Sequence, residues 1–102
     1  MATPCFRYRW DTAKARVNCR KHGVSFNVAV DAFRDPLALT IADPEHSEAE
    51  YRWITLGVVP ETGLLVVIHT YNELNADDVE VRVISARRAS KRERRDYEGG
   101  RI

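Results

Sequence analysis

The chain has 102 residues, 44% of them hydrophobic and 30% charged, with a formal net charge of +1. That composition excludes a disordered chain, and the length suits one core, so a single domain over residues 1–102 is expected. The longest apolar run, Leu64–Ile68, is strand-sized and excludes a helical membrane span, and Cys5 and Cys19 form no Cys-x-x-Cys pair that would suggest zinc or redox chemistry.

The opening MATPCFRYRW lacks an apolar h-region, so no secretory signal and a cytoplasmic, metal-free protein with reduced thiols are expected. Phe6-Arg-Tyr-Arg-Trp10 alternates aromatic and basic residues at period two, which predicts a half-buried strand. Asp11 then N-caps a helix over Thr12–His22, and Gly23 stops it in the left-handed region, with Lys21 and His22 favourably placed in the last turn. Ser25 caps a second helix. Phe26, Ala29, Val30 and Phe33 recur at i, i+3, i+4 and i+7, so one face is buried, and Asp35-Pro36 ends it.

Leu37–Ala42 reads as a modest strand and Asp43–Ala49 as a polar loop. Glu50–Val59 predicts a strand that turns through Pro60-Glu-Thr-Gly63 into Leu64–Tyr71, whose Leu-Leu-Val-Val-Ile run suits a central strand. Asn72–Asp78 reads as an acidic loop. Val79, Val81 and Val83 alternate with Glu80, Arg82 and Ile84 in a last strand running to about Ala86, with the valines facing the core. Ser90-Lys-Arg-Glu93 is a capping box that opens a final helix ending before Gly99-Gly100. The order β-α-α-β-β-β-β-α predicts an α+β fold: an antiparallel sheet with the two helices of the N-terminal half on one face, and a C-terminal helix.

The small net charge hides a segregation. Residues 1–23 sum to +5, residues 24–81 to −9 and residues 82–102 to +5. If the two basic ends meet in the fold, they make one cationic surface that concentrates phosphates beside an acidic flank; otherwise they are scattered solvated faces.

Several stretches together resemble the BrnT family of type II toxin–antitoxin toxins, ribonucleases with a RelE-like fold. The resemblance is carried by Trp10-Asp11-x-x-Lys14-x-x-x-Asn18-x-x-Lys21-His22-Gly23-Val24-Ser25-Phe26 and Phe33-x-Asp35-Pro36. It continues in His46-Ser47-x-x-Glu50-x-Arg52, Gly57, Leu65-Val66-Val67, Thr70, Arg82-Val-Ile-Ser85-Ala86-Arg87-x-Ala89 and Glu93-Arg94-x-x-Tyr97. The resemblance implies metal-independent RNA cleavage that inhibits translation and growth, with no cofactor. It also implies neutralisation by a BrnA-like, DNA-binding antitoxin, through which the toxin reaches operator DNA. One departure stands out: family members commonly carry an arginine just past the strand ending in Thr70, where this chain has Tyr71-Asn72-Glu73. The alternative it raises is a weakly active or inactive RelE-like module that works through antitoxin and operator binding.

RNA cleaves when its 2′-hydroxyl attacks the adjacent phosphate in line; a protein orients the attack, takes the hydroxyl proton and stabilises the charge on phosphate. Arginine suits the last task because its planar fork meets two phosphate oxygens and stays charged. The candidates are Arg87 at the strand-to-helix junction and Arg82 on the open sheet face. Each has a structural alternative, Arg87 as a bridge from the junction to an acidic side chain and Arg82 as the cross-strand partner of a glutamate such as Glu50. Glu50 is the candidate general base. Histidine is the side chain suited to proton exchange near neutral pH, so His22 is a catalytic candidate, set against a helix-capping role. Lys21, Arg52, Lys91, Arg92 and Arg94 are RNA-binding candidates, although Arg52 also reads as a rim partner of Glu50 or Glu48, and the α-helical cations as a solvated face. His69 is expected to be a hydrogen-bonded core residue, Tyr97 a packing residue, Trp10 and Trp53 core aromatics, and His46 a surface residue.

Overall fold

The computed structural model describes residues 5–46 and 50–100. The readings of Ser47, of Glu48 as a partner for Arg52 and of the His46 side chain as surface lie outside the described residues. A five-stranded sheet has the order β1-β5-β4-β3-β2. Its strands are β1 (Cys5–Arg9), β2 (Leu39–Ala42), β3 (Trp53–Val59), β4 (Gly63–Glu73) and β5 (Asp78–Arg88). Between β1 and β2 run α1 (Thr12–His22) and α2 (Phe26–Ala29), the latter tightening into a 3₁₀ turn over Val30–Arg34. The final helix α3 spans Lys91–Glu98.

The local signals act as their chemistry requires. The Asp11 carboxylate accepts from the Lys14 amide, and Gly23, at φ 69°, returns its N–H to the Cys19 carbonyl. Both halves of the capping box form at Ser90 and Glu93. The second helix is only half α-helical: Phe26, Ala29 and Ala32 are buried, and the tighter 3₁₀ turn lays the Ala32 carbonyl directly on β3. Only glycine permits this, because a Cβ at Gly57 would stand 2.3 Å from that oxygen.

The sheet is mixed rather than wholly antiparallel: β1 runs parallel to β5, while the other three pairings are antiparallel. The physical reason is that no hairpin joins β1 to a neighbour. The chain leaves β1 through α1 and α2, which carry it across one face to β2 at the opposite edge. That face holds the main core of Val24, Phe26, Ala29, Ala32, Val59, Leu65, Val67, Val83 and Ala86. On the second face, Leu56, Leu64 and Val66 pack with Leu39, Ile54, Ala89 and Tyr97 of α3. The helices thus sit on both faces, and α3 covers only part of the second.

A bulge corrects the simple alternation expected of β5. His69 pairs with Val83 and Ile68 with Ser85, so Ile84 is the extra residue. Val81 and Val83 face the main core before the bulge, and Ala86 joins the same core after it. The side chain of the buried Asn18 holds this irregularity: its amide donates to the carbonyls of Val24 (3.1 Å) and Ala86 (2.9 Å), and its oxygen accepts from the Ala86 amide (3.1 Å) and the Ser85 hydroxyl (3.2 Å).

Candidate active site

Beside α3, the second face of the sheet is open, and there the cationic ends of the chain meet. Parallel pairing sets Arg9 of β1 opposite Arg82 of β5, and antiparallel pairing sets Thr70 of β4 on Arg82's other side. Two arginines side by side repel unless anions intervene. Here carboxylates flank them: Glu80 lies 3.3 Å from Arg9, and Glu50 Oε1 accepts from Arg82 Nη2 and lies 3.8 Å from Arg52. Arg9, Lys14, Arg52 and Arg82, with Trp10, Asp11, Glu50 and Ile84, line a cleft of about 640 Å³. A cleft of that size can hold a small ligand, since binding sites run from about 300 to 1,000 Å³. Four cations against two carboxylates, Asp11 and Glu50, leave it net positive.

A second hollow of about 360 Å³ adjoins it, with Lys14 and Ile84 as the shared wall, and contains Val17, Lys21, His22 and Ser85. His22 is half-buried there, and Gly23 itself closes the helix end through its own amide. Lys21 is exposed at the same rim.

Arg87 does not join this cleft. Its guanidinium makes a two-pronged contact with Glu93, 2.8 Å on each arm, where Glu93 also closes the capping box through the Ser90 amide. The hydrogen bonds from Arg87 chiefly hold the Glu93 carboxyl down at about 2, and those same bonds raise the Arg87 pKa. The two arginine candidates, Arg82 and Arg87, therefore do not share this cleft. Arg87 matches its structural reading, a bridge that seats the start of α3. The same contact explains why: six residues separate Arg87 from Glu93, a spacing that the turn through Ser90 folds back. Lys91, Arg92 and Arg94 are exposed on α3, on the sheet face that carries the cleft but outside its lining.

The other assignments fall on the core side. His69 is fully buried, between the Thr55 hydroxyl (2.7 Å) and the Thr70 carbonyl (3.3 Å), and burial pushes its pKa down to about 4. Trp10 packs edge-on against Phe26, and Trp53 rests against Tyr71. Tyr97 packs on the second face and donates to Asp35, a contact that raises its own pKa to about 12. Arg9, Lys14 and Tyr51 were not singled out from sequence. Arg9 had a signal, the Arg-x-Arg alternation in β1, but its neighbourhood depends on a strand pairing that no local pattern announces. Among the described residues, no three His, Cys, Asp or Glu side chains gather into a metal-ligand set, and no helix is long and apolar enough to cross a membrane.

Comparison with known proteins gives the chain's family and a structural relative. A family model described as the ribonuclease toxin BrnT of type II toxin–antitoxin systems matches residues 10–93. Among solved structures, the crystal structure of the Brucella abortus ribonuclease toxin BrnT is similar, at 25% identity and a TM-score of 0.53, over 80% of this chain and 94% of that one. No curated protein matches the chain.

Proposed function

The chain belongs to the BrnT family of ribonuclease toxins of type II toxin–antitoxin systems, and on that premise we propose that the Arg9–Arg82 cleft is where it cleaves RNA without a metal. The observation that carries this reading is the convergence of four cations from separate parts of the chain, β1, α1, the approach to β3, and β5, in one open cleft. A scissile phosphate entering between Arg9 and Arg82 replaces the flanking carboxylates as their partner, and each guanidinium can meet two of its oxygens. That displacement frees Glu50 beside the phosphate, where it accepts the 2′-hydroxyl proton while Arg52 keeps it in place; the 2′-oxygen bonds to phosphorus as the P–O5′ bond breaks, and the leaving 5′-oxygen takes a proton from water. Charge building on the phosphate oxygens is then met by guanidinium groups already fixed on strands.

Lys21 and His22, in the adjoining hollow, hold the next stretch of backbone, and His22 is the group there able to pass a proton. Lys91, Arg92 and Arg94 extend the cationic surface along α3 and add affinity without base choice. Cleavage of cellular RNA by this route inhibits translation and growth. The antitoxin is a BrnA-like, DNA-binding protein that covers the cleft, and operator DNA is reached only through it. The acidic stretch of residues 24–81 supports this, because a partner spanning cationic and acidic surfaces gains complementarity from both.

The test is cleavage of an RNA oligonucleotide by the purified protein in EDTA. Arg82→Ala and Arg9→Ala are each expected to slow it by roughly a hundredfold or more. Folded variants that cleave at the unchanged rate would remove the cleft as the site, and dependence on an added divalent ion would remove the metal-free step. A second reading, a binding module with little activity, is favoured by the Tyr71-Asn72-Glu73 departure and by the closed Arg82–Glu50 pair. Induction without antitoxin separates the two: arrested growth and fragmented RNA support the nuclease, whereas undisturbed growth and whole RNA support the module.

A further inference from the structure

The phosphate cleft has a rim that the cleavage step does not use. Tyr51 stands between Glu50 and Arg52, two residues of the cleft, and its side chain is 78% exposed. Every other aromatic side chain has a partner. Phe6, Tyr8, Trp10, Phe26, Phe33, Trp53 and Tyr71 all make ring contacts, and Tyr97 hydrogen-bonds Asp35. Among the described aromatic side chains, Tyr51 alone has neither a ring contact nor a hydrogen bond. It lines a hollow of about 450 Å³ together with Arg9 and Arg82, their carboxylate partners Glu80 and Glu50, Tyr71 and Asn72, and a phosphate there takes the place of the carboxylates. A flat apolar ring, two guanidinium groups and an exposed amide thus border one space. That set matches the parts of a nucleotide: a π-face for the base, cations for the phosphate, and a donor and acceptor for a base edge.

Resting on the ribonuclease reading, we infer that Tyr51 is a stacking platform for an unpaired nucleobase whose phosphate lies on Arg9 and Arg82, which makes the substrate single-stranded RNA. In a duplex both faces of each base are already stacked on neighbours, so a lone exposed ring gains little there. In a single strand the face is free, and one stacked base contributes about 1–3 kcal/mol. Asn72 lines the same hollow, where its amide can read a base edge. This gives the cleft a base contact as well as phosphate contacts, and phosphate contacts alone carry no preference.

The experiment is fluorescence anisotropy with a labelled 2′-fluoro RNA decamer, which cannot undergo 2′-hydroxyl attack, against the same sequence as a duplex. Tyr51→Ala and Tyr51→Leu are expected to weaken single-strand binding by roughly tenfold, as loss of one stacked base implies, with Tyr51→Phe within about twofold of the unchanged protein. Duplex binding should be insensitive to all three. Equal single-strand affinity for the Ala and unchanged proteins overturns the inference, as does an equal loss on single strand and duplex. If Arg82→Ala abolishes cleavage while Tyr51→Ala binds normally, the platform alone falls. If the unchanged protein neither binds nor cleaves RNA, the ribonuclease reading falls with it. Weakened antitoxin binding with unchanged RNA binding assigns the ring to the protein partner and also overturns it.

Discussion

Replacing Asn18 by alanine tests how the fold holds its cleft. Asn18 is 6% exposed and makes four hydrogen bonds, two donated to the carbonyls of Val24 and Ala86 and two accepted from the Ala86 amide and Ser85 hydroxyl. Alanine removes all four and leaves a buried amide and two carbonyls without partners. At about 1 kcal/mol net per bond, the four lost bonds give a loss of about 4 kcal/mol. A domain of this size has only about 5–15 kcal/mol in total. With a urea slope of roughly 1.5 kcal/mol/M, the unfolding midpoint should fall by about 2–3 M. Asn18→Asp is the sharper variant. It preserves shape and both accepted bonds, but turns a carboxylate oxygen toward two carbonyls, and should destabilise at least as much at neutral pH. A midpoint shift below about 0.5 M for alanine, or an aspartate variant as stable as the unchanged protein, would refute the view that this side chain pins α1 to the β5 bulge.

Three further outcomes are expected. The buried His69 has a folded pKa of about 4 against an ordinary 6.5, so the unfolded state binds the extra proton between those values and stability falls as pH drops through the window. Unfolding free energies from urea titrations at pH 7 and pH 4.5 should differ by about 2.5 kcal/mol more in the unchanged protein than in His69→Gln; equal differences would show that His69 does not titrate this way. Gly57→Ala sets a Cβ 2.3 Å from the Ala32 carbonyl oxygen, and should lower stability by about 3 kcal/mol or more, read as a drop in Tm of at least about 12 °C. A Tm within a few degrees would mean that the 3₁₀ turn can retreat from β3. Arg87→Ala should lower stability by loosening the start of α3 yet leave cleavage by the folded fraction within a few-fold, the reverse of Arg82→Ala. A hundredfold loss of cleavage in folded Arg87→Ala would return that residue to the chemistry.

Local chemistry was legible in the sequence because its causes are local. Asp11, Gly23, Ser25 and the Ser90–Glu93 box act on amides and carbonyls within a few residues, and they sit where the caps were read. Period-two alternation likewise located β1 and most of β5, and the continuous apolar run located β4. The match in motif order from Trp10 to Glu93 carried the family. Strand ends were less legible: β3 begins at Trp53 rather than Glu50, because the residues before it serve the cleft rather than the ladder.

What tertiary structure alone decided is which charges meet. A guanidinium takes the nearest carboxylate, and nearness across a sheet depends on strand order, direction and bulges rather than on distance along the chain. The parallel β1–β5 pairing brought Arg9 beside Arg82, 73 positions away. The turn into α3 gave Arg87 to Glu93, and the approach to β3 brought Glu50 to Arg82 and left Tyr51 uncovered. Composition and spacing thus determined an α+β domain with basic ends and the motif resemblance its family, while long-range pairing determined which of its cations face open solvent together.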